Sequence, residues 1–318
     1  MTTTPPSATP APTSDPTSAV AGLASPRTLH STWAPSYGDR RPPATEADLD
    51  AAAELLAGHR VVALTGAGIS TDSGIPDYRG PDAQPRSPMT FQQFVGDPGF
   101  RRHYWARNHI GWHHMNATAP NAGHRALAAL ERAGVVSGVI TQNVDRLHTV
   151  AGSRHVIDLH GHYNEVICLG CGHVIPRAAL DARLLELNPT FLEEITELGD
   201  VEIAPDADAV IEQTRQFRTA SCERCGGVLK PNIVYFGENV PKERVARAYA
   251  MVDDADALLA AGTSLAVQSG LRLVKRAARD GKPVVIVNRG VTRGDEFATL
   301  RLNAGTSPAL EHLVHRLG

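Results

Sequence analysis

The sequence predicts an α/β protein built on a doubly wound parallel sheet, and three observations support that prediction. Short apolar segments recur along the chain, helical patterns lie between several of them, and the apolar segments end in polar or glycine-rich loops. Near-continuous apolarity indicates strands buried on both faces, which is typical of parallel sheets covered by helices. Strands that alternate with helices favour the doubly wound arrangement.

Six apolar segments are predicted to form strands of this sheet. In chain order they occupy residues 60–65, 135–141, 155–159, 232–236, 257–261 and 283–288. Helices are predicted at 44–58, 121–134 and 269–281. The first of these helices has Thr45 as its amino-terminal cap, acidic residues in its first turn and Gly58 at its end, which are the usual signals of helix termini.

The composition limits the classes of protein to which the chain can belong. Of its 318 residues, 42% are hydrophobic and 20% are charged, as in ordinary globular proteins. The formal net charge is −3 and no basic block stands out, so no nucleic-acid partner is expected. No apolar run approaches the roughly 20 residues that cross a bilayer, so no membrane partner is expected either.

The first 45 residues differ from the rest of the chain. They are rich in proline, threonine, serine and alanine, and such a segment cannot bury enough apolar surface to offset its chain entropy. We therefore predict a disordered tail at 1–45. The tail has neither the apolar core of a secretory signal nor the Arg-rich amphipathic pattern of a transit peptide, so the expected compartment is the cytoplasm.

Four cysteines form two Cys-x2-Cys pairs, Cys168 with Cys171 and Cys222 with Cys225, and glycine follows each pair closely. This spacing lets two tight turns direct four thiolates at one tetrahedral zinc ion. Two disulfides or four buried thiols are the alternatives, and the lack of a secretory signal favours zinc. Because protein ligands would fill all four positions, the zinc is predicted to be structural.

The cysteine pairs define a predicted zinc-binding module at 161–230, which interrupts the main domain between its third and fourth strands. The 50 residues between the pairs are more than a compact zinc ribbon holds, so an insertion is expected there. The main domain is then formed by 46–160 and 231–318, with a helical insertion at about 81–120.

Loops at the carboxyl ends of the strands line the ligand crevice of a doubly wound sheet. The first such loop begins Gly66-Ala67-Gly68, where glycines permit a tight turn and a close approach of the backbone to a pyrophosphate. Thr71 stands where the dehydrogenase fingerprint has its third glycine, and the chain continues as a long loop at 73–79. A plain phosphate-binding loop is the alternative interpretation.

The second strand ends in Gln142, Asn143 and Asp145, whose amides and carboxylate suit a carboxamide and ribose hydroxyls. A capped helix start is the alternative for one of these residues. The third strand ends at His160, where an imidazole of ordinary pKa, about 6.5, suits a general base. A structural role for this histidine is the alternative. Residues after the later strands that could approach a phosphate or ribose are Gly262, Thr263, Ser264 and Asn288.

These segments occur in the order that the sirtuin family shows, and the chain resembles a sirtuin over about 46–318. The resemblance rests on GAGIS followed by SGIPDYR, on TQNVDRLH, on the His-Gly after a strand, on the two cysteine pairs, and on PNIVYFGE and GTSLAV. Several further sequence segments, including YWARN, PNAGH, LHTVAGSRH and NRGVTRGDE, most resemble those of the class II branch. The resemblance implies a Rossmann-like NAD-binding domain with one structural Zn²⁺ in an inserted module.

The resemblance also implies that NAD is consumed. In sirtuins the acyl-lysine carbonyl oxygen attacks C1′ of the nicotinamide ribose, nicotinamide leaves, and the acyl group ends on ADP-ribose. His160 would act as general base on a ribose hydroxyl, with Asn143 and Asp145 as further catalytic residues. The implied partners are acyl-lysine proteins or peptides.

The remaining cofactor contacts are implied by position in the same motifs. The carboxamide would be surrounded by Ala67, Ile75, Asp77, Asn143 and Asp145. Gln142 would hold ribose hydroxyls, and Arg79 would steady a mobile cofactor loop that also contains Tyr78 and extends over about 74–88. Phosphates and the adenosine half would be bound by Gly66, Gly68, Gly262, Thr263, Ser264 and Asn288.

The acyl group and the peptide have their own candidate residues. Tyr104 and Arg107 lie three apart on one helical face and could offer a hydroxyl and a guanidinium to an acidic acyl group. A buried aromatic and a surface arginine are the alternative. The peptide would add a strand beside the loop of Phe236, Gly237 and Glu238. The family often has proline soon after GTSL, whereas this chain reads VQSG at 267–270.

Nearby, His109, His113 and His114 lie close together on the same predicted helix. Histidines at i and i+4 can bind a metal, but no carboxylate or cysteine is adjacent in sequence, so a solvated helix face is predicted. For the whole protein, the rivals to deacylation are mono-ADP-ribosyl transfer, a non-catalytic NAD-binding module held together by zinc, and an ordinary dehydrogenase.

Overall fold

The computed structural model describes residues 41–79, 88–196 and 214–318. Its strands are β1 (Val61–Thr65), β2 (Val136–Thr141), β3 (Val156–Asp158), β4 (Gly161–Cys168), β5 (Val174–Pro176), β6 (Leu229–Ile233), β7 (Ala257–Ala261), β8 (Val284–Val287) and β9 (Leu300–Leu302). Its helices are α1 (Glu46–Leu56), α2 (Phe91–Gly96), α3 (Pro98–Ala117), α4 (Ala122–Arg132), α5 (Leu147–Val150), α6 (Arg177–Leu187), α7 (Phe191–Thr196), α8 (Lys242–Asp254), α9 (Gln268–Arg279) and α10 (Thr306–Leu317).

The main sheet has six strands in the spatial order β3-β2-β1-β7-β8-β9, and every neighbouring pair is parallel. Alternate residues of β1 enter different cores. Val61 and Ala63 share a core with α1, α4 and α10, whereas Val62 and Leu64 share a core with α8 and α9. Helices therefore cover both faces, and the predicted doubly wound sheet is confirmed.

A second, three-stranded sheet has the order β5-β4-β6 and is antiparallel. The predicted fourth strand of the main sheet, at 232–236, is therefore wrong, because β6 ends at Ile233 and pairs with β4. Ile233 and Tyr235 are buried in a third core with residues of α2, α3 and α6. Their apolar character serves that core, and the predicted domain boundary at residue 231 falls inside β6.

One of the two edge strands of the main sheet is β9, and the sequence did not predict this strand. This strand has only three residues, and Arg301 lies in its centre, so it lacks the apolar run that marks a buried strand. It pairs in parallel with β8, and Val287 is aligned with Leu302.

The amino-terminal end of the described chain contacts this edge. The amide of Ala44 donates to the carbonyl of Asn303 over 3.0 Å, and Nδ2 of Asn303 donates to the carbonyl of Arg41 over 2.9 Å. Residues 41–45 are thus held in place, so the predicted tail extends too far, and its part at 1–40 lies outside the described residues. Thr45 caps α1 as predicted, in a reciprocal capping box with Asp48. Among the helices of the described residues, none is long and apolar enough to cross a membrane.

Candidate active site

The loops that follow β1 and β7 touch at the carboxyl edge of the main sheet. The amide of Gly68 donates to the carbonyl of Gly262 over 2.8 Å. A Cβ at Gly68 would lie 2.9 Å from that carbonyl oxygen, and a Cβ at Gly66 would lie 2.8 Å from Cβ of Thr263. Gly262 has φ +64°, a backbone conformation that favours glycine. Glycine at these positions therefore allows the two loops to meet.

The chain after Gly66 does not enter a long helix. It forms two short 3₁₀ turns, Ala67–Ile69 and Thr71–Ser73, before Gly74 reverses the backbone with φ +85°. An ordinary dinucleotide-binding loop opens directly into an α-helix. The loop therefore departs from that pattern in its backbone as well as in its sequence.

The predicted cofactor loop continues from these turns. Ile75 is buried, whereas Asp77, Tyr78 and Arg79 are partly exposed. The ring of Tyr78 meets the ring of Phe236 edge to face, with 5.9 Å between the centroids. Residues 80–87, which make up most of the predicted lid, lie outside the described residues.

Buried polar side chains meet between the 3₁₀ turns and the loop after β2. Oγ of Ser70 donates to Oδ2 of Asp145 over 2.7 Å and accepts from Nδ2 of Asn143 over 3.0 Å. The Asn143 amide also donates to the carbonyl of Gly66 over 3.1 Å, and Oδ1 of Asp145 accepts from the amide of Leu147 over 2.9 Å. Burial raises the pKa of Asp145, and these hydrogen bonds oppose the rise. We call Ser70, Asn143 and Asp145 the polar cluster.

Two buried histidines lie behind the polar cluster. Nε2 of His124 is 3.5 Å from Oγ of Ser70, Nε2 of His148 is 2.9 Å from Oγ1 of Thr65, and the two ring centroids are 4.8 Å apart. Burial lowers the pKa of both histidines, that of His124 to about 4, so both rings are neutral at pH 7. Ser70 lies in the GAGIS motif and His124 in the PNAGH segment, but the sequence alone predicted no role for either residue.

His160 lies just beyond β3, where the sequence predicts it. Its Nδ1 is 2.9 Å from the carbonyl oxygen of Gln142, and its Nε2 is 2.8 Å from Oγ of Ser269. Because a carbonyl only accepts, Nδ1 carries the proton of the neutral ring and Nε2 carries the lone pair. Burial lowers the pKa of His160 to about 4, the Gln142 hydrogen bond opposes this shift, and the charge of Arg244 adds to it.

Gln142, in the loop after β2, contacts residues at the carboxyl ends of three other strands. Its backbone carbonyl accepts from His160, while Nε2 of its side chain donates to the carbonyl of Thr65 over 3.2 Å and to Oγ1 of Thr263 over 2.8 Å. The structure thus brings Gln142 together with Thr263. Ser264 follows in the same loop, whereas Asn288 follows β8 and its side-chain amide donates to the carbonyl of Arg289 over 2.8 Å.

The four cysteines form a compact donor set. The Sγ atoms of all four lie within 4.8 Å of one another, with 3.5 Å between Cys168 and Cys225 and 3.8 Å between Cys171 and Cys222. Four thiolates at about 2.3 Å from one tetrahedral zinc ion are ~3.8 Å apart, so the set fits zinc. All four thiols are free, which excludes the disulfide alternative. Because the four sulfurs fill the tetrahedron, the zinc is structural.

Tyr104 and Arg107 both lie on α3, but their surroundings differ. Tyr104 is buried, and its ring packs edge to face on Phe94 and Tyr235, with centroids 5.4 and 5.3 Å away. Arg107 is partly exposed, and its Nη1 is 3.1 Å from Nε2 of His103. Tyr104 is therefore a buried aromatic residue, as in the alternative interpretation. It contacts Tyr235, the residue that directly precedes the predicted peptide loop.

The predicted peptide loop is itself held by the helical insertion. The carbonyl of Phe236 accepts from the amide of Phe91 over 2.9 Å, and the carbonyl of Gly237 accepts from Nε2 of Gln92 over 3.2 Å. Oε2 of Glu238 accepts from Nζ of Lys230 over 2.9 Å. The partly exposed Glu238 carboxylate thus forms an ion pair with the buried Lys230.

The predicted solvated histidine face is wrong for His109. This residue is fully buried, and its Nδ1 lies 2.7 Å from Oδ1 of Asp181 on α6; Nε2 of His113 lies 3.3 Å from the other oxygen. The carboxylate comes from a segment distant in sequence, which is why spacing along α3 did not reveal it. His114 is exposed as predicted. Arg177 lies 3.3 Å from the same Asp181, so its guanidinium provides the positive charge that the buried carboxylate requires.

At the carboxyl edge of the doubly wound sheet, Asn143 of the polar cluster contacts Gly66, and its neighbour Gln142 contacts the neutral His160. Together with the inserted four-cysteine module, this arrangement agrees with the sirtuin class that the motifs predict. The chain matches the model of the Sir2 family over residues 66–269. It belongs to the Sir2 family, as the order of its motifs predicts.

The chain is similar over most of its length to other members of this family. It is 62% identical over 263 residues to NAD-dependent protein deacetylase 1 of Mycobacterium avium, covering 83% of this chain and 93% of the relative. It is 45% identical over 271 residues to NAD-dependent protein deacylase SIR4 of Batrachochytrium dendrobatidis, covering 80% and 89%. A solved structure described as Sir2-p53 peptide-NAD+ superposes with a TM-score of 0.65 at 32% identity, covering 84% and 97%.

Proposed function

We propose that the protein is an NAD-dependent protein-lysine deacylase, which cleaves NAD to nicotinamide and transfers the acyl group from lysine to ADP-ribose. The observation that carries the proposal is a neutral His160 that is hydrogen-bonded to Gln142, the residue next to Asn143 of the polar cluster. Binding of NAD alone requires no base at this position. The relatives in M. avium and B. dendrobatidis bear deacetylase and deacylase names.

The polar cluster suits the nicotinamide end of NAD. The Asp145 carboxylate accepts from Ser70 and Leu147, so its orientation is fixed before a substrate enters. Fixed dipoles of this kind orient a carboxamide without the cost of reorganisation during the reaction. Ile75, buried beside them, supplies apolar surface for the ring. The proposal assigns the carboxamide to Asn143, Asp145 and Asp77.

The proton transfer belongs to His160. Its Nε2 lone pair is the basic position of the neutral ring, because the Gln142 carbonyl accepts the proton on Nδ1. In the proposed step Nε2 would accept a proton from a ribose hydroxyl, and that ribose oxygen would attack the acyl carbon. The bond from the acyl carbon to the lysine nitrogen would then break as the nitrogen takes up a proton and leaves as the free amine, and water would complete the release of the acyl ester of ADP-ribose. The low pKa of His160 keeps Nε2 unprotonated throughout the neutral pH range.

For the acyl group, we propose a pocket that accepts acidic or longer acyl chains in addition to acetyl. Tyr104 lies beneath the predicted peptide loop through Tyr235, and Arg107 lies one helical turn further along α3. Guanidinium groups bind carboxylates with two parallel hydrogen bonds, so Arg107 is the proposed partner of an acidic acyl group. The deacylase name of one relative, beside the deacetylase names of others, supports a pocket that is not restricted to acetyl. Membership of the class II branch stays a prediction from the sequence. The cytoplasm stays the expected compartment.

The test measures both products across a panel of acyl-lysine peptides. The purified protein is incubated with NAD and acetyl-, succinyl-, glutaryl-, methylglutaryl- or lipoyl-lysine peptide, while peptide mass and nicotinamide are followed. Deacylated peptide with an equal amount of nicotinamide is expected. Nicotinamide release with an unchanged peptide and a heavier protein would instead indicate ADP-ribosyl transfer, and intact NAD with every peptide would contradict the proposal.

Substitution of Arg107 tests the acyl preference separately. Arg107→Met is expected to lower turnover of succinyl and glutaryl peptides at least about tenfold while sparing acetyl peptide, because only the acidic groups lose a charge-assisted contact. Arg102→Met, an exposed arginine on the same helix, is the matched control and is expected to change neither. Equal losses on acetyl and succinyl peptides would exclude the pocket.

A further inference from the structure

The catalytic histidine of the proposed function has a second hydrogen-bond partner at the start of α9. Oγ of Ser269 lies 2.8 Å from Nε2 of His160, while Nδ1 faces the Gln142 carbonyl. Since Nδ1 carries the ring proton, Nε2 is an acceptor and the Ser269 hydroxyl donates to it. The nitrogen that must accept the substrate proton is therefore the atom that Ser269 contacts.

The backbone of α9 places Ser269 at this distance. Ser269 is the second residue of the helix, and Gly270 follows it. A Cβ at Gly270 would lie 2.7 Å from Oε1 of Gln142, so the missing side chain allows the helix to approach that glutamine. The Gln142 side chain is fixed in turn by Thr65 and Thr263. The two partners of His160 thus lie on surfaces that touch each other.

We propose that Ser269 is a positioning residue for His160: its hydroxyl donates to Nε2 of the neutral ring and holds the imidazole against rotation, while the Gln142 carbonyl fixes the ring proton on Nδ1. The proposal rests on the deacylase function proposed above. It concerns the VQSG segment, where this chain departs from the proline that sirtuins often have soon after GTSL. Proline has no hydrogen-bond donor, so this contact is a feature of this chain's own sequence.

The Ser269 hydroxyl donates to Nε2 of the neutral ring and can rotate to accept from Nε2–H of the protonated ring. It therefore holds the imidazole in either protonation state, and its role is orientation of the ring. The charged groups near His160 lie on other elements. Arg244 of α8 faces the ring and disfavours the imidazolium, and Asp158 of β3 faces Arg244. Neither group lies on α9, so a substitution at Ser269 removes the hydroxyl and leaves these charges in place.

The experiment compares Ser269→Ala, Ser269→Thr and the unchanged protein in steady-state kinetics and in a pH profile of single-turnover deacylation. Ser269→Ala is expected to lower kcat about 3- to 10-fold with KM for NAD changed less than about twofold, as one lost hydrogen bond implies. The loss is expected at every pH from 6 to 8, where the ring is neutral with or without Ser269. Ser269→Thr keeps a hydroxyl and is expected to restore kcat.

Two controls separate a positioning role from a structural one. Ser137→Ala removes a hydroxyl on β2 that donates to the Val61 carbonyl, at the opposite end of the sheet, and is expected to leave the kinetics unchanged. ¹⁵N NMR of the His160 imidazole at pH 7, with His160→Ala identifying its signals, is expected to show sharp signals with the proton on Nδ1 in the unchanged protein and broadened signals of a mobile ring in Ser269→Ala. A serine that only supported α9 would change stability and leave kcat and these signals in place.

The outcomes also distinguish this proposal from the function on which it rests. An unchanged protein that deacylates no peptide, or a His160→Ala variant that keeps full activity, contradicts the deacylase mechanism itself. If the unchanged protein is active and His160→Ala is not, an Ser269→Ala profile identical to that of the unchanged protein overturns the positioning role alone.

Discussion

At the scale of single residues, burial and one hydrogen bond decide the chemistry of His160. Sequence position alone gives an imidazole with an ordinary pKa of about 6.5, whereas burial lowers the pKa of this ring to about 4. The Gln142 carbonyl then decides which nitrogen is basic. The ring is a weaker base than free histidine, and at the neutral pH where the enzyme would operate it is uncharged, with its proton on Nδ1.

The first prediction concerns the pH dependence of the deacylation step. Because the pKa of His160 is lowered, the neutral ring persists as the pH falls, so the rate constant is expected to stay level from pH 8 to about pH 5.5 and to decline only below it. Single-turnover reactions, started by a brief jump from pH 7.5 so that zinc is retained, measure this. His160→Ala provides the baseline. A midpoint near 6.5 would show that burial does not control the base.

At the scale of elements, the site depends on how closely loops and helices approach each other. The turn after β1 and the loop after β7 meet through Gly68 and Gly262, and α9 meets the loop after β2 through Gly270. Each contact joins segments from different strands. Small shifts of these backbones would move every group that the crevice presents, and misplacement by about 1 Å is enough to cost a large share of activity.

Gly68→Ala tests this dependence. Its Cβ would lie 2.9 Å from the Gly262 carbonyl oxygen and must displace one of the two loops, so NAD affinity is expected to fall at least about tenfold, with a loss of about 1–3 kcal/mol in the free energy of unfolding. Calorimetric titration with NAD and urea unfolding measure the two effects. Gly96→Ala, at the end of α2 with no atom within 4 Å of the added Cβ, is the matched control. Equal NAD affinity in both variants would contradict the argument.

The same scale explains what the sequence could and could not predict. Apolar runs located β1, β2, β3, β7 and β8, because strands buried on both faces need them. The run at 232–236 was assigned to the main sheet in error, because an apolar segment does not reveal which core its side chains enter. The side chains of β6 enter the core that also contains residues of α2 and α3. The strand-end residues Gln142, Asn143, Asp145 and His160 were found since their position identifies them. Ser70, His124 and Ser269 depend on contacts between distant segments, which one sequence does not display.

At the scale of the whole molecule, the helical insertion and the zinc module are joined by a buried charge network. Asp181 of α6 contacts His109 and His113 of α3, and it pairs with the fully buried Arg177. The Arg177 guanidinium lies over the ring of Trp112 on α3, 4.8 Å from its centroid. The network thus joins α3 to α6, and we expect it to contribute to holding α3 in place.

Asp181→Ala is therefore expected to destabilise the protein and to affect substrate binding indirectly. Removal of one partner leaves the Arg177 charge buried and unbalanced, and a loss of about 3 kcal/mol in the free energy of unfolding is expected. Asp253→Ala breaks an exposed pair with Arg276 and, as the matched control, is expected to leave the free energy of unfolding nearly unchanged, because solvent screens the pair. Urea unfolding measures both, with zinc content determined alongside so that loss of the metal is not mistaken for loss of the network. Equal stabilities of the two variants would show that the insertion and the module are held together by their apolar contacts, and that α3 keeps its place without the charges.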